Sequence, residues 1–514
     1  MMQSMPSETV TAKPHVTDID RYLAMQARDA RFDGRFFVGV TSTGIYCRPV
    51  CRVKTPRPGN CRFFDHAAQA EKAGFRPCLR CRPELAPHSV SWSVQDASRV
   101  LGLQAVRWLD EPQAWGTKTP SVSRLAAWLG VSDRHVRRIF ETQLGVSPLQ
   151  YLQTRRLLCA KQLLADTRLP VTQIAWVSGF GSVRRFNAAF LARYGLKPTS
   201  MRGTAKDAAN TDLGQTVRLG FRPPYDVDAI LEFFRRRAVD TIENIANNAG
   251  DKSATRTFSI KMGAVTHSGW LTARFDETRC EVTLRVSDSL CNVLPLLIHR
   301  VRGMLDLDAD PAAINAVLHA SFAQGDGLRV PGTLDGFELA VRAVLGQQIS
   351  VVAARTLTQR LVNRFGDTIA TPFPGLTRLF PTPAALALAS PDALGELGIV
   401  RQRQAAIVAI AQSVERGQLH LHSGADVPAT MSALTAMPGI GDWTAQYIAM
   451  RALRWPDAFV AGDVALHKAL GVPRGRLAAR EAEAISQAWK PWRSYAVVRA
   501  WAAGPRHVPA ANRI

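Results

Sequence analysis

Apolar residues recur about every three or four positions through much of this chain, and one stretch shows the recurrence twice over. In LAAWLGVSDRHVRRIF, the apolar Leu125, Leu129, Val136 and Phe140 fall on the facing sides of two short helices parted by a Gly-containing turn. VTQIAWVSGFGSVRRFNAAFLARYG, from Val171 to Gly195, repeats the design. The pattern predicts two helix-turn-helix units over 121 to 202. Their second helices turn Arg134, His135, Arg137 and Arg138, then Arg184, Arg185 and Asn187, toward solvent. Elsewhere the periodicity predicts a helix from Val94 to Leu109 and another around Val227 to Asn247. DHAAQAEKAG predicts a short helix with Asp65 as N-cap and Gly74 as its stop. Strand-like runs such as CEVTLRV lie between 216 and 300, and 301 to 514 is Ala/Leu-rich, mostly helical and punctuated by Gly and Pro.

Breaker-rich and polar stretches divide these regions. EPQAWGTKTP closes a connecting segment at 89 to 120, and MRGTAKDAANTDLGQT, which lacks apolar periodicity, marks a linker at 203 to 215. The expected order is a disordered N-terminus (1 to 15), a small module (16 to 88), the connecting segment, an all-helical region (121 to 202), the linker, an α+β region (216 to 300) and a mostly helical region (301 to 514). A chain of 514 residues is too long for one core, and several domains are expected. No window approaches the roughly 18 continuous apolar residues of a membrane span, and MMQSMPSETVTAKPHVTD has no leader-like apolar core. A cytoplasmic protein without a membrane partner is expected. With 64 Lys plus Arg against 42 Asp plus Glu, the formal charge is +22 and the pI about 10.3, a field suited to a polyanion such as double-stranded DNA.

The eight cysteines change the picture for the N-terminal module. In a reducing compartment they do not suggest a disulfide scaffold, and five of them lie between 47 and 81. Cys47 and Cys51, then Cys78 and Cys81, form two knuckles whose spacing suits four thiolates around one Zn2+. Spacing alone fits a purely structural site. Cys61 is left over, as a buried free thiol. The wider words TSTGIYCRPVCRVK and GFRPCLRCRPE resemble the N-terminal domain of the Ada DNA-repair and adaptive-response family over about 70 residues. That resemblance implies that Cys47 accepts a methyl group irreversibly from a DNA methylphosphotriester. Arg48, Arg52, Lys54, Arg76, Arg80 and Arg82 would then meet the DNA backbone.

The tandem helical units, closed by GLKPTSMR, resemble the AraC-type regulator domain. The likeness implies two recognition helices in successive major grooves, with RNA polymerase as a partner in activation.

In the C-terminal half, MPGIGDWTAQYIAMRAL holds a Gly-x-Gly turn between helices, and Asp463 stands at the head of a helix 20 residues after Trp443. Glycines let backbone amides approach a phosphate, so Gly439, Gly441 and Thr444 are candidate DNA contacts. The hairpin and its downstream aspartate resemble the helix-hairpin-helix DNA glycosylase superfamily. PPYDVDAILEFFRRRAVDTIE, FELAVRAVLGQQIS and WKPWRSYAVVRAW extend the likeness to the AlkA-type 3-methyladenine glycosylases. It implies a catalytic Asp463 and a base pocket of Trp443, Tyr447 and Trp501, each of which could equally be core packing. Gln348 falls where relatives place an apolar residue in the gap left by a flipped base. Bifunctional relatives carry a lysine where this chain has Trp443, so hydrolysis without a Schiff base is expected. No cysteine follows Cys291, so no iron-sulfur cluster is expected.

The fold class expected is multidomain: a small α+β zinc domain, an all-α tandem helix-turn-helix (AraC-type) domain, and a DNA glycosylase that is α+β and then mostly α, in a monomer. The expected function is DNA alkylation repair joined to transcription control. The alternative is a methylation-activated transcription factor whose glycosylase half only adds DNA affinity.

Overall fold

The computed structural model describes residues 17–88, 97–111, 120–201 and 214–504. The expected disordered N-terminus and the linker at 203 to 215 lie almost wholly outside these. After helix α1 (Asp18–Gln26), the N-terminal module builds a sheet from β1 (Phe37–Val40), β2 (Ile45–Cys47), β3 (Cys61–Phe64) and β4 (Arg76–Pro77), in the order β3-β1-β2-β4. Helix α2 (Ala67–Lys72) leads into β4. Its N-cap is His66, not Asp65: Gln69 Oε1 reaches back to accept from the His66 amide at 3.0 Å, while Asp65 is taken by Arg21 at 2.7 Å. Gly74 does end the helix, with φ +89°.

Six helices follow: α3 (Ala97–Asp110), α4 (Val122–Leu129), α5 (Asp133–Leu144), α6 (Pro148–Asp166), α7 (Val171–Val177) and α8 (Val183–Tyr194). The first residues of the helix expected from Val94 lie outside the described range. Serine oxygens cap α4, α5, α6 and α8, and Gly130, Gly145 and Gly195 close α4, α5 and α8 in the left-handed region. Leu125, Val136 and Phe140 are buried together as the spacing predicted.

The second half opens with an antiparallel sheet, β5 (Gln215–Gly220), β6 (Glu243–Asn248), β7 (Asp251–Met262), β8 (Val265–Asp276) and β9 (Glu281–Val286), in the order β5-β9-β8-β7-β6. Helix α9 (Val227–Arg235) stops well before the expected Asn247. Residues 243–248 instead pair with β7 from Glu243↔Arg256 to Asn248↔Asp251, and that long-range pairing overrides the local helical pattern. The remaining helices are α10 (Leu294–Met304), α11 (Pro311–Leu318), α12 (Gly336–Leu345), α13 (Val351–Phe365), α14 (Pro383–Ala387), α15 (Pro391–Gly395), α16 (Arg401–Glu415), α17 (Val427–Thr435), α18 (Asp442–Arg451), α19 (Val464–Leu470), α20 (Ala478–Ser486) and α21 (Arg493–Ala503). No described helix is long and apolar enough to cross a membrane.

The modules are not separate beads. One apolar core runs from Leu157 of α6 and Phe186 and Phe190 of the second helix-turn-helix unit into Val217, Leu271 and Leu284 of the five-stranded sheet. Arg222 is fully buried and gives its guanidinium to five carbonyls: Asp33 (2.7 Å), Asp308 (2.9 Å), Ala309 (3.0 Å), Pro87 (2.9 Å) and His88 (3.0 Å). Burial pulls its pKa down to about 10. Every N–H of the fork is used, so removing it strands acceptors from two modules at once. Arg222→Met should cost at least about 3 kcal/mol in guanidinium unfolding of the full chain; an unchanged midpoint would contradict this role.

Candidate functional site

The first candidate centre is set by the N-terminal sheet. Cys47 ends β2, and the Cys51 amide donates back to Arg48 O at 3.1 Å, turning the chain toward the same point. The Cys78 amide donates to Tyr46 O at 2.9 Å, which brings the second knuckle alongside. The four sulfurs of Cys47, Cys51, Cys78 and Cys81 lie within 4.8 Å of one another. Sulfurs at about 2.3 Å from a tetrahedral zinc would stand about 3.8 Å apart, so the cluster fits one zinc ion. Exposure does not distinguish the two cysteines of the first knuckle, each 7% exposed. The Arg48 amide donates to Cys81 Sγ at 3.4 Å, which draws charge from that sulfur.

Two of the expected DNA-facing cations turn inward. Arg48, 8% exposed, is bonded to both Asp33 oxygens and to Cys81 O. Arg82, also 8% exposed, pairs with Glu84 and with Asp166 at the end of α6. Glu84 is a local partner, but Asp33 lies 15 residues from Arg48 and Asp166 belongs to the helical region, which local spacing does not reveal. Arg52, Lys54, Arg76 and Arg80 stay exposed. Cys61 stands apart from the cluster, its thiol donating to Arg57 O and its pKa raised by burial.

On the helix-turn-helix units, Arg134, Arg137 and Arg138 of α5 and Arg184, Arg185 and Asn187 of α8 are exposed. His135 is half-buried and its Nδ1 lies 2.9 Å from Arg138 Nη2, so these two act as a pair.

The second centre lies in a cavity of about 830 Å3 between α9 and the helices α18, α19 and α21. Trp443, Tyr447, Asp463 and Trp501 all line it. Asp463 is the N-cap of α19, with Oδ1 accepting from Leu466 N at 2.7 Å. Two indoles complete its shell: Trp501 Nε1 donates to Oδ1 and Trp443 Nε1 to Oδ2, both at 3.1 Å. Of the four lone-pair positions of the carboxylate, one on Oδ2 is left for another partner. Trp443 and Tyr447 stack with centroids 5.2 Å apart and planes 10° from parallel. Burial raises the Tyr447 pKa, but Arg451 and Arg237 outweigh it and hold the phenol below its usual value.

The hairpin between α17 and α18 is closed from behind. Gly439 has φ +77°, and a Cβ there would sit 3.2 Å from Gln402 O, whereas Gly441 is exposed with open space before it. Thr444, expected to face DNA, is buried at 2% exposure; its hydroxyl accepts from Gln347 Nε2 at 2.9 Å, and the same nitrogen donates to Gly439 O at 2.9 Å. Gln347 therefore ties the GQQIS turn to the hairpin, a role hidden in sequence because only its neighbour stood out. Gln348 does not line the cavity; it stands exposed in the turn between α12 and α13 with φ +55°. Phe233, Arg237 and Arg451 line the cavity and were also unforeseen.

Family models match four successive segments: the metal binding domain of Ada at 20–84, a helix-turn-helix domain at 125–204, the AlkA N-terminal domain at 216–335, and the HhH-GPD superfamily base excision DNA repair protein at 341–494. The chain is 37% identical over 500 residues to a Mycobacterium tuberculosis protein named "Probable bifunctional transcriptional activator/DNA repair enzyme AlkA", spanning 94% of this chain and 96% of that one. It is 33% identical over 284 residues to DNA-3-methyladenine glycosylase 2 of Escherichia coli, 55% of this chain and 95% of the other. It is 36% identical over 169 residues to the regulatory protein ada of Salmonella typhimurium, 33% and 44% of the two chains.

One zinc per chain is the expected content by atomic absorption, and Cys78→Ser should lose most of it. A full zinc complement in Cys78→Ser would rule out the four-thiolate site.

Proposed function

Because this chain belongs to the family of bifunctional transcriptional activator/DNA repair enzymes, joining Ada-type, AraC-type and AlkA-type parts, we propose that it senses methylated DNA phosphates at Cys47 and excises alkylated bases at Asp463. The observation that carries the repair half is the carboxylate of Asp463, held by two indole N–H groups at the wall of an aromatic cavity.

At the sensor, zinc held by Cys47, Cys51, Cys78 and Cys81 would keep all four thiols ionised at neutral pH. The Cys47 sulfur attacks the methyl carbon of a phosphotriester. The S–CH3 bond forms as the O–CH3 bond breaks, and the phosphodiester anion leaves with the bonding pair. The thioether does not revert. Four thiolates on a divalent ion carry a net charge of about −2, and methylation leaves about −1, which lowers repulsion of DNA phosphate. The exposed Arg52, Lys54, Arg76 and Arg80 then meet the backbone, and the two recognition helices take up the promoter. RNA polymerase would be the partner at that step, with the protein acting as a monomer.

At the repair site, the hairpin of Gly439 and Gly441 grips a phosphate while the damaged nucleotide leaves the stack. Gln348, at the exposed tip of the GQQIS turn, stands ready to fill the gap. The base enters between Trp443, Tyr447 and Trp501, whose π faces attract a cationic alkylpurine such as 3-methyladenine. As the N-glycosidic bond breaks, the base takes the bonding pair and the sugar gains positive charge. Asp463 faces that charge with its remaining Oδ2 lone pair, which also orients the attacking water. No lysine stands at position 443 to form a Schiff base, so the reaction is hydrolysis.

Asp463→Asn should lower release of 3-methyladenine from alkylated DNA by at least about 100-fold without loss of fold. Trp443→Phe, which removes one hydrogen bond to the carboxylate, should lower it about 10-fold or more. Equal release by the wild type and Asp463→Asn would overturn the catalytic assignment and leave a regulator whose second half only binds DNA.

A further inference from the structure

The cavity that holds the Asp463 carboxylate also contains cations that its proposed substrates would not welcome. Arg451 is 7% exposed and makes no ion pair among the described residues. It donates to neutral acceptors alone: Nε to Pro331 O at 2.7 Å, Nη2 to Gly332 O at 3.2 Å, and Nη1 to the Tyr447 hydroxyl at 2.5 Å. Its guanidinium carbon lies 5.3 Å from the Tyr447 ring centroid and 4.8 Å from that of Phe233. Arg237 stands 3.7 Å from the same Phe233 ring. Phe233 and Tyr447 thus already serve as partners for resident cations.

An aromatic ring engaged by one cation attracts a second less, and two like charges within one cavity repel. The other nearby guanidinium, Arg342, is neutralised by Glu243 and Glu338, and Arg256 by the same two carboxylates. Arg451 and Arg237 have no such carboxylate partner among the described residues, and neither do Arg329, Arg355 and Lys468, which also line the cavity. Arg451 also fixes the reading surface itself. It holds Tyr447, Tyr447 stacks on Trp443, and Trp443 donates to Asp463, so the guanidinium is three contacts from the carboxylate.

We propose that Arg451 is a positioning and specificity-determining residue of the base cavity: it orients Tyr447 and, with Arg237, offsets the aromatic attraction for cationic bases, so that uncharged purine lesions compete with alkylated ones. This rests on the reading that the cavity receives the flipped base.

The test uses the full chain on duplexes carrying one lesion, either 7-methylguanine, a permanent cation, or hypoxanthine, which is neutral, with single-turnover rates and kcat/KM for each. Arg451→Met should raise the ratio of cationic to neutral excision about three- to ten-fold, even if both absolute rates fall. Arg451→Lys keeps the charge and should leave the ratio within about two-fold of wild type. Arg237→Met, at a half-buried site, should raise the ratio in the same direction and serves if Arg451→Met does not fold. Equal loss on both lesions in Arg451→Met, or an unmoved ratio in Arg237→Met, would overturn the inference. If the wild type releases neither base, the base-cavity reading itself fails, which is a separate outcome.

Discussion

The architecture turns on one side chain that sees no water. Arg222 begins just after the first strand of the repair half, yet three of its five hydrogen bonds end on carbonyls of the N-terminal module. A buried guanidinium is tolerable only when every donor is met, so the two modules must meet where Asp33, Pro87, His88, Asp308 and Ala309 converge. The same Asp33 uses its carboxylate to hold Arg48, the neighbour of Cys47. On the other side, Tyr46 donates to Glu71, which accepts from Thr154 of α6 and pairs with Arg193 of α8. The two residues flanking the proposed methyl acceptor are therefore rooted in the repair half and in the regulator.

That connection gives the shared core between the regulator and the five-stranded sheet a functional meaning. The N-terminal module is joined to the repair half by the buried Arg222, and the regulator shares one apolar core with the five-stranded sheet. The cavity shows a second balance of forces. Asp463 is positioned by neutral donors, while the same cavity carries guanidiniums that spend themselves on carbonyls, a phenol and ring faces.

Much of this was legible in sequence wherever the physics is local. Cysteine spacing located the metal cluster, because short loops can place sulfurs on one centre. Apolar residues at helical spacing on either side of a Gly-containing turn located the helix-turn-helix units. Trp443, Tyr447, Trp501 and Asp463 do meet around one cavity. What escaped depends on distant partners. The strand at 243–248 exists because β7 is beside it, His66 rather than Asp65 caps α2 while Asp65 pairs with Arg21, and Arg48 and Arg82 are buried against Asp33 and Asp166 of other segments. Thr444 and Gln347 share the same logic: residue type announces a polar contact, but only the fold decides that it points inward.

The central claim is that one welded chain holds two chemistries, each carried by its own residue. Its most direct test is a single incubation of wild type and Asp463→Asn with DNA bearing both methylphosphotriesters and 3-methyladenine, scored for free base and for methyl groups on cysteine peptides. The account predicts a methyl on Cys47 alone in both proteins and free base from the wild type only. Methylation of a different cysteine, an unmodified Cys47, or base release by Asp463→Asn at the wild-type rate would contradict it.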